Sequence, residues 1–171
     1  MNETVQTVKN QFFKKDVHDI IRGLRTINPN GVGSTELSKD ERKFLEECSA
    51  ETFKEVVSPD MDIKMVAIQK LVYLNMHGFD ISTTSFYVVE LMSSGKFTHK
   101  RVGYHAATTC FFNDSDMILL ATNQIKKDVM SLKPYESEMV LNALSVFMNH
   151  DLAIVLVGDI IACVGLSNIK M

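Results

Sequence analysis

Residues 60–78 read Asp60-Met61-Asp62-Ile63-Lys64-Met65-Val66-Ala67-Ile68-Gln69-Lys70-Leu71-Val72-Tyr73-Leu74-Asn75-Met76-His77-Gly78. Ile63, Val66, Ala67, Leu71 and Leu74 fall three or four residues apart, the spacing that puts apolar groups on one side of a helix. Ser58-Pro59-Asp60 stops whatever precedes and starts this helix, and Gly78 suits the left-handed position just past its end. The same grammar of cap, apolar stripe and breaker then repeats in both directions.

Toward the amino terminus, Ser38 and Glu41 form an S-x-x-E capping box that opens a helix through Phe44, Leu45, Cys48, Thr52 and Val56. Before it, Asp16 caps a helix whose stripe is Val17, Ile20, Ile21 and Leu24, ending near Asn28-Pro29-Asn30-Gly31, with 32–38 as a loop. Toward the carboxyl terminus, Ser82 is expected to cap a fourth helix with Phe86, Val89 and Met92 inward and Gly95 at its end. Thr98 opens a fifth, with Val102, His105, Ala106, Thr109 and Cys110 inward. Asn113-Asp114-Ser115 breaks it before a sixth carrying Met117, Ile118, Ala121, Ile125 and Val129. Pro134 starts a seventh through Met139, Ala143, Leu144 and Phe147. Asn149-His150-Asp151 leads into an eighth with Leu152, Val155, Leu156, Ile160 and Cys163.

From residue 60 onward these helices are read as pairs. First members begin near Asp60, Thr98 and Pro134, second members near Ser82, Ser115 and His150, so the pair recurs every 38 and then 36 residues. A nearly constant period of this size is the mark of an all-α solenoid of antiparallel helix pairs, armadillo- or HEAT-like, with about eight helices. A closed bundle has no need of such a period. The stretch 153–166 carries only Asp159 among mostly apolar residues, where an end unit of a solenoid needs a polar cap. The expectation is a piece of a longer stack, or a chain covered there by a partner.

The chain has 171 residues with 46% hydrophobic and 23% charged, a globular balance. That length suits one domain over 1–171, with 1–11 expected as a flexible terminus. Eight glycines and three prolines are roughly half the ordinary share, so turns are few and helices long. A net charge of −3 excludes coating nucleic acid with the whole surface. Cys48, Cys110 and Cys163 are too scattered for a zinc finger or a disulfide framework, which fits a cytosolic setting. No secretion signal begins the chain, and its most apolar run is too short and interrupted to span a bilayer.

Catalytic chemistry finds no foothold. His18, His77, His99, His105 and His150 do not pair with one another at ligand spacing, so no metal site is expected. No Walker, G-x-S-x-G, G-x-G-x-x-G or H-E-x-x-H string occurs, and no cofactor is called for. His105 is placed on the inward stripe as a core imidazole, Asn123-Gln124 as amides bridging backbone in a neighbouring loop, and the methionines as core filling. Lys96, His99, Lys100 and Arg101 crowd the positive end of a helix dipole, where exposed cations are disfavoured by ~0.3–1 kcal/mol each. Either a carboxylate such as Asp128 or an anionic partner, a lipid headgroup or an acidic peptide, offsets that cost. Arg22 and Arg25 show the reverse case, cations in the last turn of a helix, where the dipole favours them.

Two runs then carry a resemblance. Lys96-Phe97-Thr98-His99-Lys100-Arg101-Val102-Gly103-Tyr104 and Ala121-Thr122-Asn123-Gln124-Ile125-Lys126-Lys127-Asp128 resemble the amino-terminal trunk of the large adaptin subunits of vesicle-coat adaptor complexes. Leu71-Val72-Tyr73-Leu74-Asn75-Met76-His77-Gly78-Phe79-Asp80-Ile81-Ser82 and Ile21-Arg22-Gly23-Leu24-Arg25 look most like the delta type of adaptor complex three. The likeness covers roughly residues 12–165.

The resemblance implies a non-enzymatic trunk that holds a small sigma subunit, joins a beta-type large subunit and a medium subunit, and sorts membrane cargo between Golgi, endosomes and lysosome-like organelles. It implies peripheral attachment to the cytosolic face of those membranes, with a small GTPase as a further partner and no nucleic acid. Arg25 matches a position that receives the acidic residue of dileucine cargo tails. The lysine run with which the plasma-membrane relative binds a phosphoinositide headgroup is absent here. Lys64 and Lys70 stand near the matching stretch and join Lys96, Lys100 and Arg101 as candidate contacts to anionic lipid or an acidic partner. The loop 29–38 departs from the delta pattern. The competing reading is a general helical-repeat protein-binding scaffold outside adaptor complexes.

Overall fold

A computed structural model describes residues 16–28, 37–111 and 115–168. The expected flexible terminus over 1–11, most of the loop 29–38 and the Asn113-Asp114 break lie outside them. The described residues form eight α-helices, a 3-10 turn and no strand, the all-α class expected. The helices are α1 (Val17–Ile27), α2 (Lys39–Val56), α3 (Met61–Asn75), α4 (Ser85–Met92), α5 (Phe97–Cys110), α6 (Ser115–Val129), α7 (Pro134–Phe147) and α8 (His150–Asn168), with the 3-10 turn at Ser82–Thr84. The backbone packs into two compact units, Met1–Asp80 and Ile81–Met171, a subdivision that the length argument for one domain does not resolve.

In the first unit, α2 and α3 pack on each other and α1 lies against both. The Asp16 side chain accepts from the His18 N–H at the start of α1, and the Ser38–Glu41 capping box opens α2. Phe44, Leu45, Cys48, Val56, Ala67, Ile68, Leu71 and Leu74 are buried, with Ile20 reaching them from α1. Gly23 lets α1 come close, because a Cβ there would stand 2.5 Å from Phe44 Cζ. Past α3, Gly78 takes φ +88 and the Phe79 N–H reaches back to the Leu74 carbonyl at 3.3 Å, closing the end of the helix as its glycine suggests. Ile63, assigned to the inner stripe, is instead 46% exposed, and Ile68 and Val72 are buried beyond it.

In the second unit, α4 packs on α5 and α6 on α7, while α5 also meets α7 and α6 meets α8. The close pairs are therefore one helix out of step with the pairs read from the period, which joined α5 with α6 and α7 with α8. The period itself holds, since α3, α5 and α7 begin at Met61, Phe97 and Pro134, 36 and 37 residues apart.

Three local expectations are corrected here. Ser82 does not cap α4 but lies in the 3-10 turn, where its carbonyl accepts from the Ser85 hydroxyl. Phe86 points outward while Val88, Val89, Leu91 and Met92 are buried. In α8, among the described side chains, Leu152 and Leu156 are the large apolar groups that are buried, and Val155 joins Ile154, Val157, Ile161 and Val164 as exposed.

Candidate functional site

Two places answer to the residues singled out by sequence. The first is the corner of the first unit where α1 and α3 end and α2 begins. Asn28, the C-cap of α1, donates from Nδ2 to Glu41 Oε1 at 3.3 Å. Glu41 Oε2 accepts from the Ser38 N–H at 2.8 Å. The Ser38 backbone and side chain, then Asn28, hold the Glu41 carboxyl below its ordinary value against the pull of burial, and the charge of His77 acts the same way. One carboxylate thus ties the end of α1 to the start of α2 and fixes the turn that carries Arg25.

Arg25 occupies the last turn of α1 and is exposed. It makes no ion pair among the described residues. Arg22, expected beside it in the last turn, lies a turn earlier and pairs with Asp19 at 3.7 Å. Tyr73 and His77, one turn apart on α3, meet edge-to-face with ring centroids 4.9 Å apart. Burial pushes the Tyr73 hydroxyl above its ordinary value, and the charge of Arg25 opposes that rise.

The second place is the start of α5. Lys100 is buried and donates to Asp128 Oδ1 at 2.5 Å, with Glu136 Oε2 at 3.7 Å. Asp128 Oδ2 also accepts from the Tyr104 hydroxyl and from Gln124 Nε2, each at 2.8 Å. Glu136 accepts from Ser131 Oγ at 2.8 Å and from Lys133 Nζ at 3.0 Å. Three helices, α5, α6 and α7, are joined by this cluster. The anion that offsets the cation at the head of α5 is therefore internal. Burial, then the Asp128 charge and hydrogen bond, drive the Tyr104 phenol far above its usual range, so it acts only as a donor.

The candidate contacts to an outside anion are thereby sorted. Lys64 and Lys70 are buried, Lys70 with Glu55 at 2.8 Å, and Lys100 is spent on Asp128, so burial corrects the expectation that these three face a lipid or an acidic partner. Lys96 and Arg101 are exposed. Arg101 lines an open groove of about 470 Å³ between α5 and α7, with Phe97, His105, Tyr135, Glu138 and Asn142 around it. His105, expected in the core, is exposed on this groove. His99 is the buried imidazole, hydrogen-bonded through Nδ1 to Ser94 Oγ at 2.9 Å. Asn123 is exposed, and Gln124 serves Asp128 within its own helix rather than a neighbouring loop.

Sequence reasoning also missed a repeat in the turns before α3, α5 and α7. Ser58, Ser94 and Ser131 each accept through Oγ from the N–H two residues on, that of Asp60, Lys96 and Lys133, at 3.2–3.3 Å. These serines recur at 36 and 37 residues. Each serine stands three places before the helix that follows, at Met61, Phe97 and Pro134, and a serine at that period was the available signal.

Among the described residues no group of His, Cys, Asp or Glu is placed to hold a metal ion, and no helix is long and apolar enough to cross a membrane. Cys48 is buried with its thiol pushed up to about 12, by burial first and by the charges of Glu51 and Glu47. It behaves as an inert core group.

The adaptin N-terminal region family matches residues 41–168, from the start of α2 to the end of α8. The chain belongs to that family. It is 39% identical over 150 residues to the AP-3 complex subunit delta-1 of Bos taurus, covering 88% of this chain and 12% of that protein. To the AP-3 complex subunit delta of Dictyostelium discoideum it is 44% identical over 149 residues, 87% of this chain and 12% of the relative. To that of Arabidopsis thaliana it is 33% identical over 168 residues, 98% of this chain and 18% of the relative. The chain thus spans less than a fifth of the length of these relatives. Lys100, Tyr104, Gln124 and Asp128, which make the cluster at the head of α5, all fall in the two runs that first suggested an adaptin.

Proposed function

We propose that the chain is a non-enzymatic part of a large subunit of an adaptor complex of the AP-3 type, working in vesicle-mediated sorting of membrane cargo. The observation that carries this is the likeness to AP-3 delta subunits over nearly the whole chain. In this reading the helical stack holds a small sigma-type subunit, with a beta-type large subunit and a medium subunit completing the assembly at the cytosolic face of Golgi or endosomal membranes. Arg25 receives the acidic residue of dileucine cargo tails. Its exposure, its freedom from an ion pair among the described residues and its anchorage through Asn28 and Glu41 support that role, and a guanidinium offers a carboxylate two parallel donors where an ammonium offers a point charge. Lys96 and Arg101 are left as contacts for an anionic lipid or an acidic partner.

Co-expression with the small, beta-type and medium subunits of AP-3, followed by gel filtration, tests the assignment. The expected result is one co-eluting species containing this chain. Elution of this chain apart from all three subunits would refute it.

A further inference from the structure

The turn that joins α6 to α7 reads Met130-Ser131-Leu132-Lys133, and the leucine at its tip is 93% exposed. Met130 and Tyr135 on either side of it are exposed as well. The fold gives this leucine almost none of the burial that makes the residue favourable inside a protein. The turn between α4 and α5 stands beside it. Phe97, first in α5, meets Tyr135, near the start of α7, edge-to-face with ring centroids 4.7 Å apart. Lys100 reaches both Asp128, near the end of α6, and Glu136, so the heads of α5 and α7 and the last turn of α6 come to one place. Lys96, Lys127 and Lys133 are exposed there. Lys133 bonds to Glu136 yet keeps over half of its side chain in solvent. Among the described residues neither turn carries an exposed carboxylate. Asp128 and Glu136 are buried in the cluster with Lys100, and the exposed Glu90 and Glu138 belong to α4 and α7 themselves.

Shape and charge together select the occupant. A stable protein interface takes about 800 Å² from each partner, and one protruding leucine offers a small fraction of that. A bilayer accepts a single apolar side chain at the boundary of its acyl chains, with lysine stems lying along it and their ammonium groups among the headgroups. A tyrosine, apolar in its ring and polar at its tip, suits the same boundary. Three exposed lysines without an exposed carboxylate beside them call for anionic rather than zwitterionic lipid.

We propose that the α6–α7 turn is a membrane-contact element, in which Leu132 enters the headgroup–acyl boundary of an anionic bilayer while Lys96, Lys127 and Lys133 meet its headgroups. The proposal rests on the reading above that sets the chain at a membrane, and it assigns Lys96 to lipid. Leu132 supplies the insertion, and the lysines supply the preference for negative charge.

The chain contains no tryptophan, so Leu132→Trp places a single fluorophore at the tip. Leu119→Trp is the control, at a leucine 75% exposed near the other end of α6. The whole chain is mixed with vesicles of phosphatidylcholine, alone or with phosphatidylserine, and read by flotation and by tryptophan emission. With phosphatidylserine present, the Leu132→Trp emission is expected to shift to the blue and to be quenched by brominated acyl chains, and the Leu119→Trp emission to do neither. Apparent vesicle affinity should fall at least about 10-fold on Leu132→Ser and about 5-fold on Lys127→Gln, both at exposed positions that leave the fold intact. Absence of flotation, equal binding to both kinds of vesicle, or flotation without a blue shift of Leu132→Trp overturns the proposal. So does a blue shift that appears with the small, beta-type or medium subunit and not with vesicles, which would make the turn a protein contact. Co-elution with those subunits is read separately, so loss of membrane binding and loss of the adaptor assignment are told apart.

Discussion

At Gly103 the backbone of α5 passes so close to α4 that an added Cβ would stand 2.8 Å from the Met92 amide nitrogen. Helix propensity favours Gly103→Ala by ~1 kcal/mol, whereas overpacking against immovable backbone costs ~1–3 kcal/mol. The clash wins. Gly103→Ala should lower stability by up to ~2 kcal/mol in urea unfolding, and Gly95→Ala, whose Cβ would meet nothing within 4 Å, should stay within ~0.5 kcal/mol. Asp128→Ala should cost ~3–5 kcal/mol by the same measurement, because it strips a buried lysine of its nearest carboxylate and the Tyr104 hydroxyl of its acceptor. Glu136 adds a pH signature. Burial pushes its carboxyl up, but the bonds from Ser131 and Lys133 and the charges of Lys100 and Lys133 outweigh burial and leave it below the ordinary 4.5. A carboxyl depressed in the folded state stabilises above its unfolded value, and that contribution is lost as pH falls through the folded value. Stability should therefore decline below about pH 4.5, and Glu136→Gln should flatten that decline in a pH series of thermal melts. The Lys100–Asp128 pair could be anticipated, since a cation at a helix amino terminus asks for a carboxylate. Glu136 could not, because only the packing of α7 on α5 brings it there.

Several helix starts and stops are readable because they are written locally, although Ser82 lies in a 3-10 turn and does not cap α4. The capping box at Ser38, the proline at the start of α7 and the left-handed Gly78 all depend on neighbours within a few residues. Which face of a helix turns inward was less so. A stripe of Val102, His105, Ala106, Thr109 and Cys110 puts His105 in the core, but α4 and α7 both pack on α5 and the side they bury is that of Val102, Gly103, Tyr104, Ala106 and Ala107, which leaves His105 exposed. Pairing phase was also lost to periodicity, which fixes the repeat length and says nothing of which neighbour is closer. The serine turns supply the missing register. Ser131→Ala should cost ~1–3 kcal/mol, since Ser131 also donates to Glu136, while Ser58→Ala, at an exposed turn, should cost under ~1 kcal/mol. Equal losses in chemical denaturation would show that the turn bond alone matters.

Across the chain, the runs that resemble an adaptin supply both internal structure, as with Lys100, Tyr104 and Asp128, and exposed cations, as with Arg25 and Arg101. Buried Lys100, Tyr104, Gln124 and Asp128 explain why helices α5 to α7 stay joined, and the exposed apolar groups of α8, Ile154, Val157 and Ile161 among them, mark a flank open to further packing. A role in sorting then turns on what the outer residues meet. The direct measurement is calorimetric titration of this chain with the small sigma-type subunit of AP-3 at low salt. Saturable one-to-one binding is predicted, and absence of any binding heat, with no co-elution on gel filtration, would contradict the adaptor reading.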